Sequence, residues 1–223
     1  MRQAQKLSKK GRVTLIDVAA AGERFEQRGR GAISNQAGRF EHETHAAFDD
    51  GWGTIDDEAA RLKTTLTREV AKTIITYNRS PDISFDRTIN PYRGCEHGCV
   101  YCFARPTHAF HGLSAGLDFE SRIFFKPGGP DLLRRELSRP SYVPKPIALG
   151  MNTDAYQPVE RQLKLTRTFL EILSAHNHPV TLLTKSALIQ RDIDIIAPMA
   201  AKGIARVGVS ITTLDPRLSR RME

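Results

Sequence analysis

Val180-Thr181-Leu182-Leu183-Thr184, then Ile189, Ile193, Ile196 and Ala200, then Gly203, then Arg206-Val207-Gly208-Val209-Ser210-Ile211 reads as strand, helix, strand. The two outer runs are short and rich in β-branched residues, as strands are. The apolar residues between them recur at three and four, the helical period. Gly203 stands where a left-handed residue commonly ends a helix. Two strands joined by a helix can lie side by side in parallel, so this stretch predicts one βα unit of a parallel sheet.

The same unit recurs toward the N-terminus. An apolar run at 146–151 precedes a helix opened by Pro158, with Leu163, Thr166, Leu170 and Leu173 at helical spacing; proline suits the first helical position because its missing N–H is not needed there. Before it, a strand near 87–90 opens into a loop over 94–104. A secondary apolar run at 123–125 is separated by Gly128-Gly129-Pro130 from a short helix near 131–137. Beyond 206–211, Asp215-Pro216-Arg217 reads as the cap and first turn of another helix. Four βα units are expected, within a core assigned to residues 73–223. The helix that has barely begun at the end of the chain is read as the sign of a truncated fragment. Strands missing beyond it would leave an apolar sheet edge exposed.

Residues 1–72 differ in character. They contain Arg28-Gly29-Arg30-Gly31, an Asn35-Gln36-Ala37-Gly38 loop and the acidic Asp49-Asp50-Gly51-Trp52. They are read as an irregular N-terminal extension, partly unordered. Residues 1–39 carry 9 Lys/Arg against 3 Asp/Glu, and residues 40–58 carry 7 acids and no base. The whole chain of 223 residues has a formal charge of +8. A basic arm and core can attract nucleic acid or an anionic cofactor, or can be a solvated surface. Hydrophobic residues at 40% and charged residues at 26% exclude collagenous, wholly disordered and membrane classes. No apolar run approaches the roughly 20 residues that span a bilayer. The stretch 13–21 is broken by Asp17, so no membrane partner and a cytoplasmic location are expected.

The three cysteines all fall in Asn90-Pro91-Tyr92-Arg93-Gly94-Cys95-Glu96-His97-Gly98-Cys99-Val100-Tyr101-Cys102-Phe103-Ala104-Arg105, spaced C-x3-C-x2-C. An odd, clustered set argues against disulfides and for a ligand set in a reducing compartment. A cubane iron-sulfur cluster normally takes four thiolates, so three would leave one iron open to a small molecule. A zinc site with His97 as a fourth ligand is the alternative, although ligands two apart in one short loop suit a tetrahedral ion poorly.

Ligands of parallel βα folds collect at the carboxyl ends of strands. The polar residues there are Thr153 and Asp154 after the second strand, Lys185 after the third and Ser210 in the fourth. Asp154 and Glu160 can equally serve a helix N-terminus. Lys185 can be a solvated lysine, and Ser210 a buried serine bonded to backbone.

The cysteine spacing resembles the radical S-adenosylmethionine superfamily. That resemblance implies a partial (βα)6 barrel of TIM type, a 4Fe-4S cluster on Cys95, Cys99 and Cys102, and S-adenosylmethionine on the open iron. One electron would break the S–C5′ bond, and the 5′-deoxyadenosyl radical would take hydrogen from substrate. An external one-electron donor of flavodoxin or ferredoxin type is implied as well. Tyr101 matches the aromatic position that packs against adenine, with plain core packing as its other role.

More narrowly, Thr153-Asp154-Ala155-Tyr156-Gln157-Pro158 with Glu160, Thr184-Lys185 and Ser210-Ile211-Thr212 look like the group related to spore photoproduct lyase. In that group the matching lysine and serine contact S-adenosylmethionine; Thr153 and Asp154 are taken as contacts for its amino group. Arg28-Gly29-Arg30-Gly31-Ala32 with Arg39-Phe40-Glu41 resembles an extension of an uncharacterised bacterial branch. The lyase's hydrogen-donating cysteine has no counterpart here, because that neighbourhood reads Asn152-Thr153.

Overall fold

Short apolar runs separated by helices build two sheets in the computed structural model, which describes residues 30–36 and 63–223. The larger sheet contains β2 (Ile75–Tyr77), β3 (Arg87–Ile89), β6 (Ile147–Leu149), β7 (Val180–Thr184) and β8 (Ala205–Val209), in the order β2-β3-β6-β7-β8. β3, β6, β7 and β8 run parallel, each beside its neighbour in that series, while β2 closes one edge antiparallel to β3. This is the sequential order of a βα barrel, and the described strands form an open sheet. The smaller sheet sets β5 (Arg122–Phe125) between β1 (Thr65–Arg68) and β4 (Tyr92–Arg93). Thus Thr65–Arg68, inside the expected extension, is a strand parallel to β5. The segments 13–21, 39–41 and 49–52 lie outside the described residues.

Burial explains the layering. Ile147, Ala148 and Leu149 of β6 are all fully buried, as a strand covered on both faces must be. In β7, Val180, Leu182 and Thr184 are buried while Leu183 is exposed, so one face carries the core. Against that face pack α2 (Gly129–Leu137), α4 (Leu165–Ala175) and α5 (Ile193–Ala201), contributing Leu133, Phe169, Leu170, Leu173 and Met199. Val207 and Val209 of β8 are exposed, and its outer edge has no strand partner among the described residues.

The helix expected after Pro158 is two helices, α3 (Glu160–Leu163) and α4, divided at Lys164 with φ 51°. The cause lies in Glu160: its buried carboxylate accepts hydrogen bonds from the N–H groups of Thr166 (3.0 Å) and Arg167 (3.3 Å), capping the second helix from the first. Ile189 likewise belongs to a 3-10 turn over Ala187–Asp192 that Ser186 caps, and α5 starts after it. Asp215 caps α6 (Pro216–Met222) by accepting from Arg217 and Leu218, as the sequence predicts. No helix among the described residues is long and apolar enough to cross a membrane.

Candidate cofactor site

The loop from Gly94 to Arg105 leaves β4 beyond the carboxyl end of β3. Its two glycines, Gly94 (φ 78°) and Gly98 (φ 65°), take left-handed conformations that a side chain would resist. Backbone bonds from Gly98 to the Cys95 carbonyl (3.3 Å) and from Cys102 to the Cys99 carbonyl (3.2 Å) wind the loop into successive turns. Cys95 donates its N–H to the Phe119 carbonyl at 2.9 Å, which ties the loop to α1 (Leu117–Ser121). Cys95 and Cys99 are buried, Cys102 is half-buried, and all three thiols are free.

The segment after β6 is the platform on which this loop rests. Thr153 donates its hydroxyl to the Gly94 carbonyl at 2.6 Å. Gln157 accepts from the Glu96 N–H at 2.9 Å and donates to Gly94 and to Thr153. The Glu96 carboxylate receives the Val159 N–H at 2.6 Å. Asp154 accepts from Tyr156 N–H, from the Thr184 hydroxyl (2.7 Å) and from Lys185 N–H (3.0 Å), so it joins the end of β6 to the end of β7.

Above the platform, three of the expected residues meet. Lys185 Nζ lies 3.2 Å from the Ser210 hydroxyl and 5.1 Å from the centre of the Tyr101 ring. Lys185 and Tyr101, together with Thr212, surround the side-chain carboxylate of Glu223. Lys185 Nζ pairs with its Oε2 at 2.6 Å, Thr212 donates to it at 3.1 Å, and Tyr101 donates to it as well. Cys99 Sγ is 3.9 Å from the same oxygen. Val100 N–H bonds the Met222 carbonyl at 2.9 Å, bringing α6 over the loop. Thr212, Gln157, Glu96 and Glu223 join the site beyond the residues the sequence predicts. The first is legible as the polar residue just past β8, the next two as polar residues within quoted motifs; Glu223 carries no sequence signal.

The electrostatics follow from this packing. Burial would lower the Lys185 pKa, but the Glu223 carboxylate and Tyr101 more than offset it and hold the ammonium above its ordinary range. Burial would raise Glu223, yet Lys185, Tyr101 and Thr212 hold it below the usual carboxylate range. Burial, followed by the Asp154 charge, pushes the Cys95 thiol up to about 12, and burial raises Cys99. Burial thus favours the neutral thiols of Cys95 and Cys99, and any metal group they took up would have to displace those protons.

Among the described residues no three His, Cys, Asp or Glu side chains are grouped to hold a single metal ion. The His97 imidazole that a zinc site would need lies 3.5 Å from Asp154 Oδ2. A four-iron cluster takes thiolates at its separate corners rather than at one point, and three free thiols on one wound loop fit that donor set.

Parallel strands whose carboxyl ends carry a three-thiol loop beside a lysine-centred carboxylate site define an α/β core with a candidate cofactor site. Residues 89–223 match the Radical SAM superfamily, and the chain belongs to it. That superfamily typically uses a 4Fe-4S cluster and S-adenosylmethionine. It is 41% identical over 141 residues to the uncharacterized proteins Rv2578c of Mycobacterium tuberculosis and Mb2609c of Mycobacterium bovis, a match covering 63% of this chain and 42% of each relative. It is 27% identical over 161 residues to the uncharacterized protein MJ0683 of Methanocaldococcus jannaschii, covering 72% of this chain and 57% of that protein. The matched stretch thus spans about two fifths of the mycobacterial relatives. No solved structure matches the chain.

Proposed function

We propose that Cys95, Cys99 and Cys102 hold a 4Fe-4S cluster, and that Lys185, Ser210 and Tyr101 bind S-adenosylmethionine beside it. The observation that carries this reading is the seat of the Glu223 carboxylate, where Lys185, Thr212 and Tyr101 converge 3.9 Å from a cysteine sulfur. A carboxylate of a small molecule finds the same donors there, and the methionyl carboxylate is of that kind. Asp154, whose charge is felt at Cys95, is suited to the methionyl amino group, with Thr153 beside it. Tyr101 offers its ring to the adenine. Held by Cys95, Cys99 and Cys102, a bound cluster would supply one-electron reducing chemistry to a sulfonium placed beside it. The protein's part is to hold the methionyl end by charge and to keep the loop in one conformation.

The motif from Thr153 to Glu160, with Thr184-Lys185 and Ser210-Ile211-Thr212, supports placement in the group related to spore photoproduct lyase. Asn152-Thr153 in place of that lyase's cysteine argues against repair of a thymine lesion by its route. An external flavodoxin- or ferredoxin-type donor acting in the cytoplasm completes the proposal. Nucleic acid is included among the proposed partners on the net charge of +8, with the substrate left unassigned.

Anaerobic reconstitution tests the chemistry. The expected result is about four irons per chain and release of 5′-deoxyadenosine when S-adenosylmethionine and dithionite are added. Protein that takes up one zinc, no iron, and yields no 5′-deoxyadenosine would overturn it.

A further inference from the structure

The Arg30-Gly31 motif of the N-terminal extension has no role in the proposed chemistry, yet it lies directly against the cysteine loop. Three consecutive backbone N–H groups, of Arg30 (2.6 Å), Gly31 (3.1 Å) and Ala32 (2.7 Å), converge on the carboxylate of Glu120, which is fully buried in α1. Successive N–H groups turned inward form an anion-binding nest. Arg105 pairs with the same carboxylate and donates to the carbonyls of Gly98 (2.6 Å) and Cys99 (2.9 Å) in the loop and of Ala115 (3.1 Å) and Gly116 (3.3 Å) before α1. An unbroken chain of contacts therefore runs from the extension through Glu120 and Arg105 to the backbone of a cysteine.

The Arg30 side chain supplies a second link. Its guanidinium donates to the Glu120 carbonyl, to the Thr64 hydroxyl at 2.8 Å and to the buried Glu96 at 3.5 Å. Glu96 lies next to Cys95 in the loop, and Glu120 lies behind it. The Arg30 charge thus pairs with the buried Glu96, while its reach to Glu120 is to the backbone carbonyl. Residues further along complete the contact. α1 is only five residues long, begins after Gly116 and has no side-chain cap of its own. Its first N–H groups, of Leu117 and Asp118, are met by the Ser34 carbonyl (3.2 Å) and the Asn35 side chain (3.1 Å). A side chain at position 31 would collide with the Gly98 carbonyl.

We propose that residues 30–36 are a positioning strap that holds the cysteine loop in its ligand-bearing conformation through Glu120, Glu96 and α1. None of the strap's residues is among those assigned to the cofactor; the strap acts through Arg105 and Gly98 on the backbone around Cys99. It builds on the cysteines as cluster ligands, but its test has a readout that needs no cluster.

That readout is alkylation of the buried Cys99 by iodoacetamide in the metal-free full chain, followed by mass spectrometry, because modification of a buried thiol reports local opening. Arg30→Ala and Asn35→Ala should each raise the Cys99 rate by about fivefold or more, with Arg30→Lys in between, while far-UV circular dichroism stays unchanged. Gly31→Val should do the same and, after reconstitution, lose iron faster to a chelator. Arg134→Ala, on the exposed face of α2, is the control. Cys99 rates within about twofold of wild type in both Arg30→Ala and Asn35→Ala would overturn the strap, whatever the iron content. If wild-type protein takes up no iron while the rates still diverge, the strap stands and the cluster assignment falls.

Discussion

Lys185 at the end of β7 holds the side-chain carboxylate of Glu223 at 2.6 Å, although 38 positions separate them in the chain. The pair shows that the strand ends form a seat for a carboxylate, and it shows which residue supplies the charge. Lys185→Ala is expected to weaken S-adenosylmethionine binding to anaerobically reconstituted protein by roughly ten- to hundredfold, the scale of one charge-assisted hydrogen bond. Glu223→Ala should act in the opposite direction, tightening binding several-fold, because a competing carboxylate leaves the seat. Calorimetric titration separates the two; equal affinities in both variants would remove Lys185 from the site.

Tyr101 presents two separable functions, a ring over which Lys185 Nζ sits at 5.1 Å and a hydroxyl 2.7 Å from Thr212. If the ring packs against adenine, Tyr101→Phe should bind S-adenosylmethionine within about twofold of wild type, whereas Tyr101→Ala should lose about tenfold. A Phe variant as weak as the Ala variant would assign the contribution to the hydroxyl instead.

Glu160 is fully buried and serves structure. Tyr92 donates to it, Arg191 pairs with it at 2.7 Å, and two N–H groups of α4 end on it. Removing Glu160 leaves the Tyr92 hydroxyl and the two N–H groups without their acceptor, while Arg191 keeps only the Asp192 carboxylate at 2.7 Å. Glu160→Ala should therefore cost about 3–5 kcal/mol in urea unfolding of the metal-free chain. S-adenosylmethionine contacts are not involved, so whatever variant remains folded should keep its affinity.

The contrast between what the sequence announces and what it conceals follows sequence distance. The run 180–184 is the observed β7 to the residue, because alternation and β-branching are local properties. The joined helix after Pro158 was not legible as two, since the break at Lys164 depends on a carboxylate folding back onto N–H groups six and seven residues ahead. Lys185, Ser210 and the cysteines stand at strand ends or in a spaced motif and so can be seen one at a time. Glu120 cannot: nothing around it in the chain distinguishes it from a surface acid. Its partners in the strap lie 88 to 90 positions away. Short strands such as β1, at only four residues, likewise exist because a distant partner, β5, pairs with them.

Lys126 gives the pH dependence a definite sign. Its side chain is 9% exposed, donates to the Asn90 carbonyl at 2.8 Å and has Glu69 at 3.9 Å. Burial lowers its pKa from 10.5 to about 8, with Glu69 opposing the shift. Below about 8 both folded and unfolded chains carry the proton, and the folded state bears the full cost of a buried ammonium. Between about 8 and 10.5 the unfolded chain keeps the proton while the folded one has released it, so this contribution rises with pH. Lys126→Met abolishes that release, and Arg93 still compensates Glu69 at 2.8 Å. The stability difference, wild type minus variant, should therefore grow by about 3 kcal/mol across this window, measured by urea unfolding near its two ends. A difference independent of pH would mean that Lys126 is solvated and keeps its proton in the folded protein.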